Sequence, residues 1–403
     1  MILLADDLSG AAEVAGLLWS AGDDVEVQIG CEPTTAAGSL VIDTETRGLP
    51  GSEAAGIVHR TCADLARREL GLDFKKVDSV LRGPVRAEAE AAMEALGLRR
   101  CILLPCNPSR GRTLEGGVYR VHGVPLHETE FAADPAHPAR TASVVELLGP
   151  GVQPVVVAGP RDALPEEGII LADARSAADV AAWAERTEPA ALSAGAADFL
   201  QALLARRGMA PRRASGPMRA GRRLLVSGSA STTSRAAVEQ AEEAGVPLVR
   251  LPTTASPGSS EVQRAAECVA KALSSADRVI LCIAGPHCAE PDAPRRLEQA
   301  LAEAAAAALA SAPVGQLLLE GGSTAAATLA RLGLRRLRVA GQPAPGIVRL
   351  QAVGAEAPEI VTKPGSYAWP VMGGVASSSC YRRVPPPAPS VAGIGTPTGA
   401  THR

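Results

Sequence analysis

The chain is expected to be an α/β protein built from two α/β domains with mostly parallel sheets, and three observations lead there. Short apolar runs alternate with Ala/Glu/Arg-rich amphipathic stretches, the pattern of parallel strands with crossover helices on both faces of a sheet. That rhythm breaks at an Arg-, Gly- and Pro-rich stretch near 206–222 and then restarts. A chain of 403 residues, 46% of them hydrophobic, is long enough to fill two cores.

Taken in order, the apolar runs at 2–5, 25–29, 40–43, 74–77, 101–105, 155–158 and 168–172 read as strands of the first half. A helix is expected from Ala11, and the segments 53–70 and 86–96 are amphipathic at helical spacing. After the break, strands are expected at 224–227, 248–251, 278–283 and 316–320, with helices at 233–244, 260–273 and the Ala-rich 294–312. The division is therefore 1–205, a linker at 206–222, a second domain at 223–383 and a tail at 384–403. The tail is rich in Pro, Gly, Ala and Thr without apolar periodicity, so disorder is expected there.

Composition excludes several classes of function. A net charge of -3 argues against a nucleic-acid or membrane surface, which needs a concentrated basic patch. The basic cluster within 206–223 lacks aromatics and reads as a solvated linker rather than a binding arm. The eight cysteines contain no C-x-x-C pair, which fits reduced thiols in the cytoplasm. The six histidines show no H-x-x-x-H spacing, so no protein-built metal site is expected. The start carries acids where a signal peptide carries basic residues, and no uncharged run reaches the length of a membrane span. Oligomeric state is open, a homo-oligomer included.

Two segments carry the chemistry. The strand at 2–5 runs into Asp6-Asp7-Leu8-Ser9-Gly10 just before a helix, and the carboxyl end of a strand is where open α/β sheets bind ligands. Adjacent carboxylates there suit a polyol or a metal, and the same residues equally suit a helix cap. The stretch Lys75-Lys76-Val77-Asp78-Ser79-Val80-Leu81-Arg82-Gly83 packs cations, a carboxylate and a hydroxyl into one strand-to-turn segment suited to a small polar anion. There is no G-x-x-x-x-G-K-[ST] loop and no G-x-G-x-x-G. Phosphate would instead meet the backbone amides of Ser227 to Ser231, or of Gly321-Gly322-Ser323-Thr324, each lying between a strand and a helix; either is also an ordinary tight turn. The chain uses four lysines against 36 arginines, and three of the four, at 75, 76 and 363, fall inside such segments.

These segments resemble the four-carbon acid-sugar kinase family. Residues 5–10 are similar to its ADD(L/F)TGA opening, with Ser9 for Thr, and 75–83 to its KKIDSTLRG motif, with Val80 for Thr. Residues 105–119 resemble PAFPxxGRTTxGGxxY, and 121–135 resemble NGVPLxETEFAxDP. In the second half 226–231 resembles a GSxS loop containing Ser229, and 321–325 a GGETA loop with Ser323 for Glu. KSGNFG survives only as Lys363-Pro364-Gly365-Ser366-Tyr367-Ala368, so the nucleotide half is the divergent one.

The resemblance implies an acid-sugar-binding domain followed by a nucleotide-binding domain, with ATP and Mg²⁺ as cofactors and a threonate- or erythronate-type acid as substrate. Arg47 and Arg82 are then candidates for pairing with the substrate carboxylate, and Asp6, Asp7, Asp78 and Ser79 for its hydroxyls; a surface ion pair is the alternative for Arg47. Either Asp6 or Asp7 can take the proton of the attacking hydroxyl, Asp7 being favoured, and Lys76 can neutralise the transferring phosphoryl group. Ser229, Gly321 to Thr324, Lys363 and Gly365 are left to the nucleotide. The alternative is a hydroxy-acid-binding relative that has lost phosphoryl transfer, motivated by Ser323, Pro364 and Tyr367.

Overall fold

The computed structural model describes residues 1–30, 38–134, 137–213, 215–216, 221–229, 231–285, 292–365, 367 and 369. The expected tail at 384–403, and 371–383 of the expected second domain, lie outside the described residues.

The first half opens with β1 (Ile2–Ala5), α1 (Leu8–Ser20), β2 (Val25–Ile29), β3 (Ser39–Asp43), α2 (Gly51–Arg67), β4 (Phe74–Lys76), α3 (Val85–Leu96) and β5 (Arg100–Leu104). A small antiparallel sheet follows, of β6 (Arg112–Glu115), β7 (Val118–Val121) and β8 (Val124–Pro125). Then come α4 (Val144–Leu148), β9 (Val155–Ala158), β10 (Gly168–Ala172), α5 (Ala177–Glu185), β11 (Ala191–Gly195) and α6 (Ala197–Arg206). The second half holds β12 (Arg223–Ser227), α7 (Thr232–Glu243), β13 (Leu248–Leu251), α8 (Ser260–Ser275), β14 (Arg278–Ile283), α9 (Ala293–Ser311) and β15 (Gln316–Glu320). It closes with α10 (Gly322–Arg331), β16 (Arg336–Ala344), β17 (Ile347–Ala352) and β18 (Glu359–Lys363).

Most main strands are parallel and covered by helices, which is why they read as continuous apolar runs: Leu3, Leu4, Val41, Leu103 and Leu319 are fully buried. Each such side chain contributes roughly 1.5–3 kcal/mol by leaving water. The strands form one 15-stranded sheet in the order β13-β14-β12-β15-β18-β17-β16-β2-β3-β1-β4-β11-β5-β10-β9. The halves join where β16 pairs antiparallel with β2, and the run β16-β17-β18 is antiparallel throughout. These three strands, β11 and the small sheet add to the strands expected from sequence. In each half the strand order reverses beside one strand: β1 lies between β3 and β4, and β12 between β14 and β15. Such reversals splay the following loops apart and open a crevice at the strands' carboxyl ends.

Helix α1 starts at Leu8 rather than Ala11, because Asp7 caps it: its Oδ1 accepts from Gly10 N at 2.8 Å. The helix is buried almost all round and packs on the seam between halves. Gly16 permits this, since a Cβ there would sit 2.8 Å from Gln342 Nε2 and 2.9 Å from Val348 Cγ2. The described part of the basic segment is docked rather than free in solvent. Arg212 N and Arg213 N donate to Ser20 O at 2.6 and 3.0 Å, and the Arg213 guanidinium lies over Trp19 and donates to Gly22 O. A cation suits this end of a helix, where unpaired carbonyls accumulate negative charge.

Candidate active site

The first switch-point strand, β1, delivers Asp6 and Asp7, and the corner after β3 delivers Arg47. Thr46 N and Arg47 N both donate to Asp6 O, which ties the corner to the end of β1. Arg47 then forks onto Asp6, with Nε to Oδ2 and Nη2 to Oδ1 both at 2.8 Å. Its Nη1 reaches Asp7 Oδ2 at 2.7 Å and lies 3.7 Å from Asp78 Oδ2. Burial alone would raise the Asp6 pKa, but Arg47, Lys75 and Lys76 outweigh it and hold the carboxyl below its usual value. Asp7 also accepts from Ser9 Oγ at 2.6 Å.

The second segment folds into a tight turn after β4. Asp78 Oδ1 accepts from Val80 N, Arg82 N and Arg82 Nε at 3.0 to 3.1 Å, and Oδ2 from Arg82 Nη2 at 2.8 Å. Leu81 takes a left-handed φ of 63° to close this turn, the kind of local strain that surrounding structure must hold in place. Burial opposes ionisation of Asp78, yet Arg82 and Arg47 more than offset it and hold the carboxyl well below the usual range. Arg82 also reaches Asp134 Oδ2 at 3.2 Å. Both guanidinium forks expected for a substrate carboxylate are thus closed on protein carboxylates.

Lys76 is buried, donating to Val77 O at 3.0 Å and lying 3.4 Å from Glu13 Oε2. Glu13 Oε1 in turn accepts from Tyr367 Oη at 2.7 Å, so a residue of the second half reaches the lysine through one carboxylate. Lys75 faces away, paired with Glu88 at 2.6 Å within the core. Ser79 Oγ receives Arg112 Nη1, and Ser79 O receives the Tyr119 hydroxyl.

Three loops of the second half converge on a buried ion pair, Glu320 with Lys363, whose charged atoms are 2.5 Å apart. Ser227 and Ser234 each donate to Glu320 at 2.7 Å. Lys363 Nζ donates to the carbonyls of Pro364, Gly365 and Tyr367. It therefore holds Pro364, Gly365 and Tyr367 from inside, its side chain wholly buried. Ser231 caps α7, accepting from Ser234 N at 3.1 Å, and its Oγ lies 2.8 Å from Gly365 O. Glycines let these loops touch: a Cβ on Gly228 would sit 2.1 Å from Thr324 Oγ1, and one on Gly365 2.5 Å from Ser229 Oγ. Gly321, at φ +95°, caps α10, while Ser323 bonds Glu298 on α9. The amino ends of α7 and α10 thus stand together, a donor set suited to phosphate.

The two clusters meet. Gly322 abuts Asp7 Oδ2 so closely that a Cβ there would lie 2.2 Å from it, and Arg110 stacks 3.6 Å over the Tyr367 ring. Asp6, Asp7, Arg47, Asp78 and Arg82 thus form one cluster, with Lys76 beside it. Ser229, Gly321, Thr324, Lys363 and Gly365 form the second, and Gly322 is the junction. Sequence reading missed Glu13, Asp43, Arg112 and Glu320. For Glu13 and Glu320 the signal was available: each is a lone acid within or closing an otherwise apolar segment. Among the described residues no group of three or more His, Cys, Asp or Glu side chains can hold a metal ion, and no helix is long and apolar enough to cross a membrane.

Two family models match the chain in succession. Residues 1–203 match a family described as a sugar-binding N-terminal domain, and 224–367 match a nucleotide-binding C-terminal domain. The chain is 36% identical over 151 residues to the D-threonate kinase of Salmonella typhimurium, a stretch covering 37% of this chain and 36% of that protein. It therefore spans little more than a third of that relative. It is 28% identical over 408 residues to the 3-oxo-tetronate kinase of Cupriavidus necator, covering 91% of this chain and 94% of that one. A crystal structure of a Salmonella typhimurium LT2 protein shares the fold, with a TM-score of 0.73 at 20% identity over 91% of this chain and 96% of the other. A match to the sugar-binding part that by itself spans half the chain, followed in order by the nucleotide-binding part and joined by similarity to acid-sugar kinases along nearly the whole chain, makes this chain a member of the four-carbon acid-sugar kinase family.

Proposed function

We propose that this protein is an ATP-dependent kinase that phosphorylates the terminal hydroxyl of a four-carbon sugar acid of the threonate or erythronate type, acting in the cytoplasm. The observation that carries this reading is the contact between Gly322 and Asp7: the loop opening α10 meets the carboxylate best suited to take a proton. Residues 1–205 hold the acid and 223–383 the nucleotide.

Asp7 is a better base than Asp6 on two grounds. Asp6 is spent on the Arg47 fork and its side chain is 3% exposed, against 14% for Asp7. A carboxylate accepts about four hydrogen bonds. Asp7 has Gly10 N, Ser9 Oγ and Arg47 as partners, which leaves it room for the substrate hydroxyl. Arg47 orients that carboxylate, and Lys76 offers positive charge toward the transferred group. Gly321, Gly322 and Thr324 bring the amino end of α10 to the nucleotide, with Ser229 and Gly365 alongside and Lys363 holding the loop shape. With no acidic cluster for a metal among the described residues, Mg²⁺ would be held by phosphate oxygens and water.

The test is ADP release with ATP-Mg²⁺ and a panel of threonate, erythronate, 3-oxo-tetronate and 4-hydroxythreonine. Turnover with at least one acid is expected. Thermal stabilisation by an acid without ADP release from any of them would favour the binding-only alternative instead.

A further inference from the structure

The acid site has a charge problem. Asp6, Asp7, Asp78 and Asp134 face Arg47 and Arg82, and both guanidinium groups are already taken up by these carboxylates. Lys75 and Lys76 are likewise matched by Glu88 and Glu13. An anionic substrate entering such a cluster meets carboxylates unless one cation is held in reserve.

Arg112 has that character. It opens β6, is half-buried, and has no carboxylate partner among the described residues. Its guanidinium instead contacts the Ser79 hydroxyl and lies 5.4 Å from the centre of the Phe131 ring. Ser79 directly follows Asp78 and its carbonyl is anchored by Tyr119, so Arg112 stands at the edge of the acid cluster on a fixed platform. An unpaired guanidinium beside a hydroxyl and over an aromatic face is a fork preset for a carboxylate.

Resting on the sugar-acid reading above, we propose that Arg112, with Ser79, binds the substrate carboxylate and makes the enzyme select acids over uncharged polyols. Arg47 and Arg82 then keep the aspartates in place, and the hydroxyls of the substrate fall to those aspartates.

The test compares each acid with the polyol of the same configuration, threitol or erythritol, in the wild type and in Arg112→Gln and Arg112→Lys. In Arg112→Gln, kcat/KM for the acid should fall about 10- to 100-fold, the worth of a charge-assisted pair, while the polyol rate is unchanged. Arg112→Lys should recover part of the loss. Equal losses on acid and polyol, or an unaffected acid, would overturn the assignment. If the wild type binds an acid by calorimetry but releases no ADP, the kinase reading fails while Arg112 is judged on affinity: a 10- to 100-fold weaker Kd in Arg112→Gln upholds it, and an unchanged Kd overturns it.

Discussion

Gly322 and Asp7 are in contact across the two halves of the chain, with space between them for hydrogen but not for carbon: a Cβ on Gly322 would lie 2.2 Å from Asp7 Oδ2 and 3.0 Å from Ser9 Oγ. From sequence this glycine is assigned to phosphate, and the structure adds that it also makes room for the carboxylate.

Gly322→Ala should therefore displace Asp7, whose carboxylate is fixed by three partners and cannot swing away cheaply. A misplacement near 1 Å lowers turnover by about 10²-fold. Gly321→Ala is the comparison: its φ of +95° costs about 1–3 kcal/mol of stability and can weaken nucleotide binding, but its Cβ would not touch Asp7, so a kcat loss confined to Gly322→Ala marks the Asp7 contact. Equal kcat values for Gly322→Ala and wild type would show that this contact is incidental.

Asp7 both caps α1 and is the proposed base, and two substitutions separate the roles. Asp7→Asn keeps a capping side chain, so stability should hold while kcat falls about 10²- to 10⁴-fold. Asp7→Ala should lose the same activity and also about 1 kcal/mol of stability by urea denaturation. Near-normal turnover in folded Asp7→Asn would transfer the base role elsewhere.

Arg82→Ala should behave chiefly as a stability variant. Asp78 keeps its backbone donors and the more distant Arg47, so the cost is about 2–4 kcal/mol rather than that of a fully isolated buried charge. The Asp78 pKa is depressed in the folded protein, so its stabilising effect is present above the unfolded carboxyl value of about 3.9 and fades as pH falls below it. The stability gap between wild type and variant should accordingly narrow near about pH 3. A gap constant across that range would contradict the pairing.

Asp43 predicts the opposite sign. It ends β3 fully buried, with Oδ2 lacking any hydrogen-bond partner, and burial together with the charges of Asp7, Glu45 and Asp6 raises its pKa well above the usual value. The folded state thus holds this proton more tightly than the unfolded chain, and its stabilising effect is full below about pH 4 and fades as pH rises through the folded value. Asp43→Asn should raise Tm at neutral pH, with the gain shrinking toward about pH 4. A loss at neutral pH would mean that the carboxylate is needed there as an anion.

Much of this was readable from residue order, and what was missed has physical causes. Parallel strands announce themselves as apolar runs, so β1, β2, β9, β10, β13, β14 and β15 fell where expected, the half-exposed edge strands β9 and β13 among them. Strand β11, Ala-Leu-Ser-Ala-Gly, lacks β-branched residues and is held by its neighbours β4 and β5 rather than by propensity. In β16 the alternation of exposed Arg336 and Arg338 with buried Leu337 and Val339 was available, but Gly341 and Pro343 blur it. The site motifs were local and therefore visible. Their mutual arrangement was not: Tyr367 meets Glu13 across 354 positions of chain, and Arg336 meets Glu26 across 310.

The shared sheet also has a mechanical consequence. Two lobes on a flexible tether can swing through any angle, but here the backbone ladder runs from one lobe into the other through the β16–β2 seam. That seam is only three residue pairs long, pinned by the Arg336 fork on Glu26 at 2.7 and 3.1 Å. A short antiparallel ladder resists stretching and sideways slip, because either breaks hydrogen bonds, yet it yields to twist, along which strands are naturally compliant. Any twist about that seam would change the separation of Asp7 and Gly322, so the ladder that joins the halves also limits how those two loops can part.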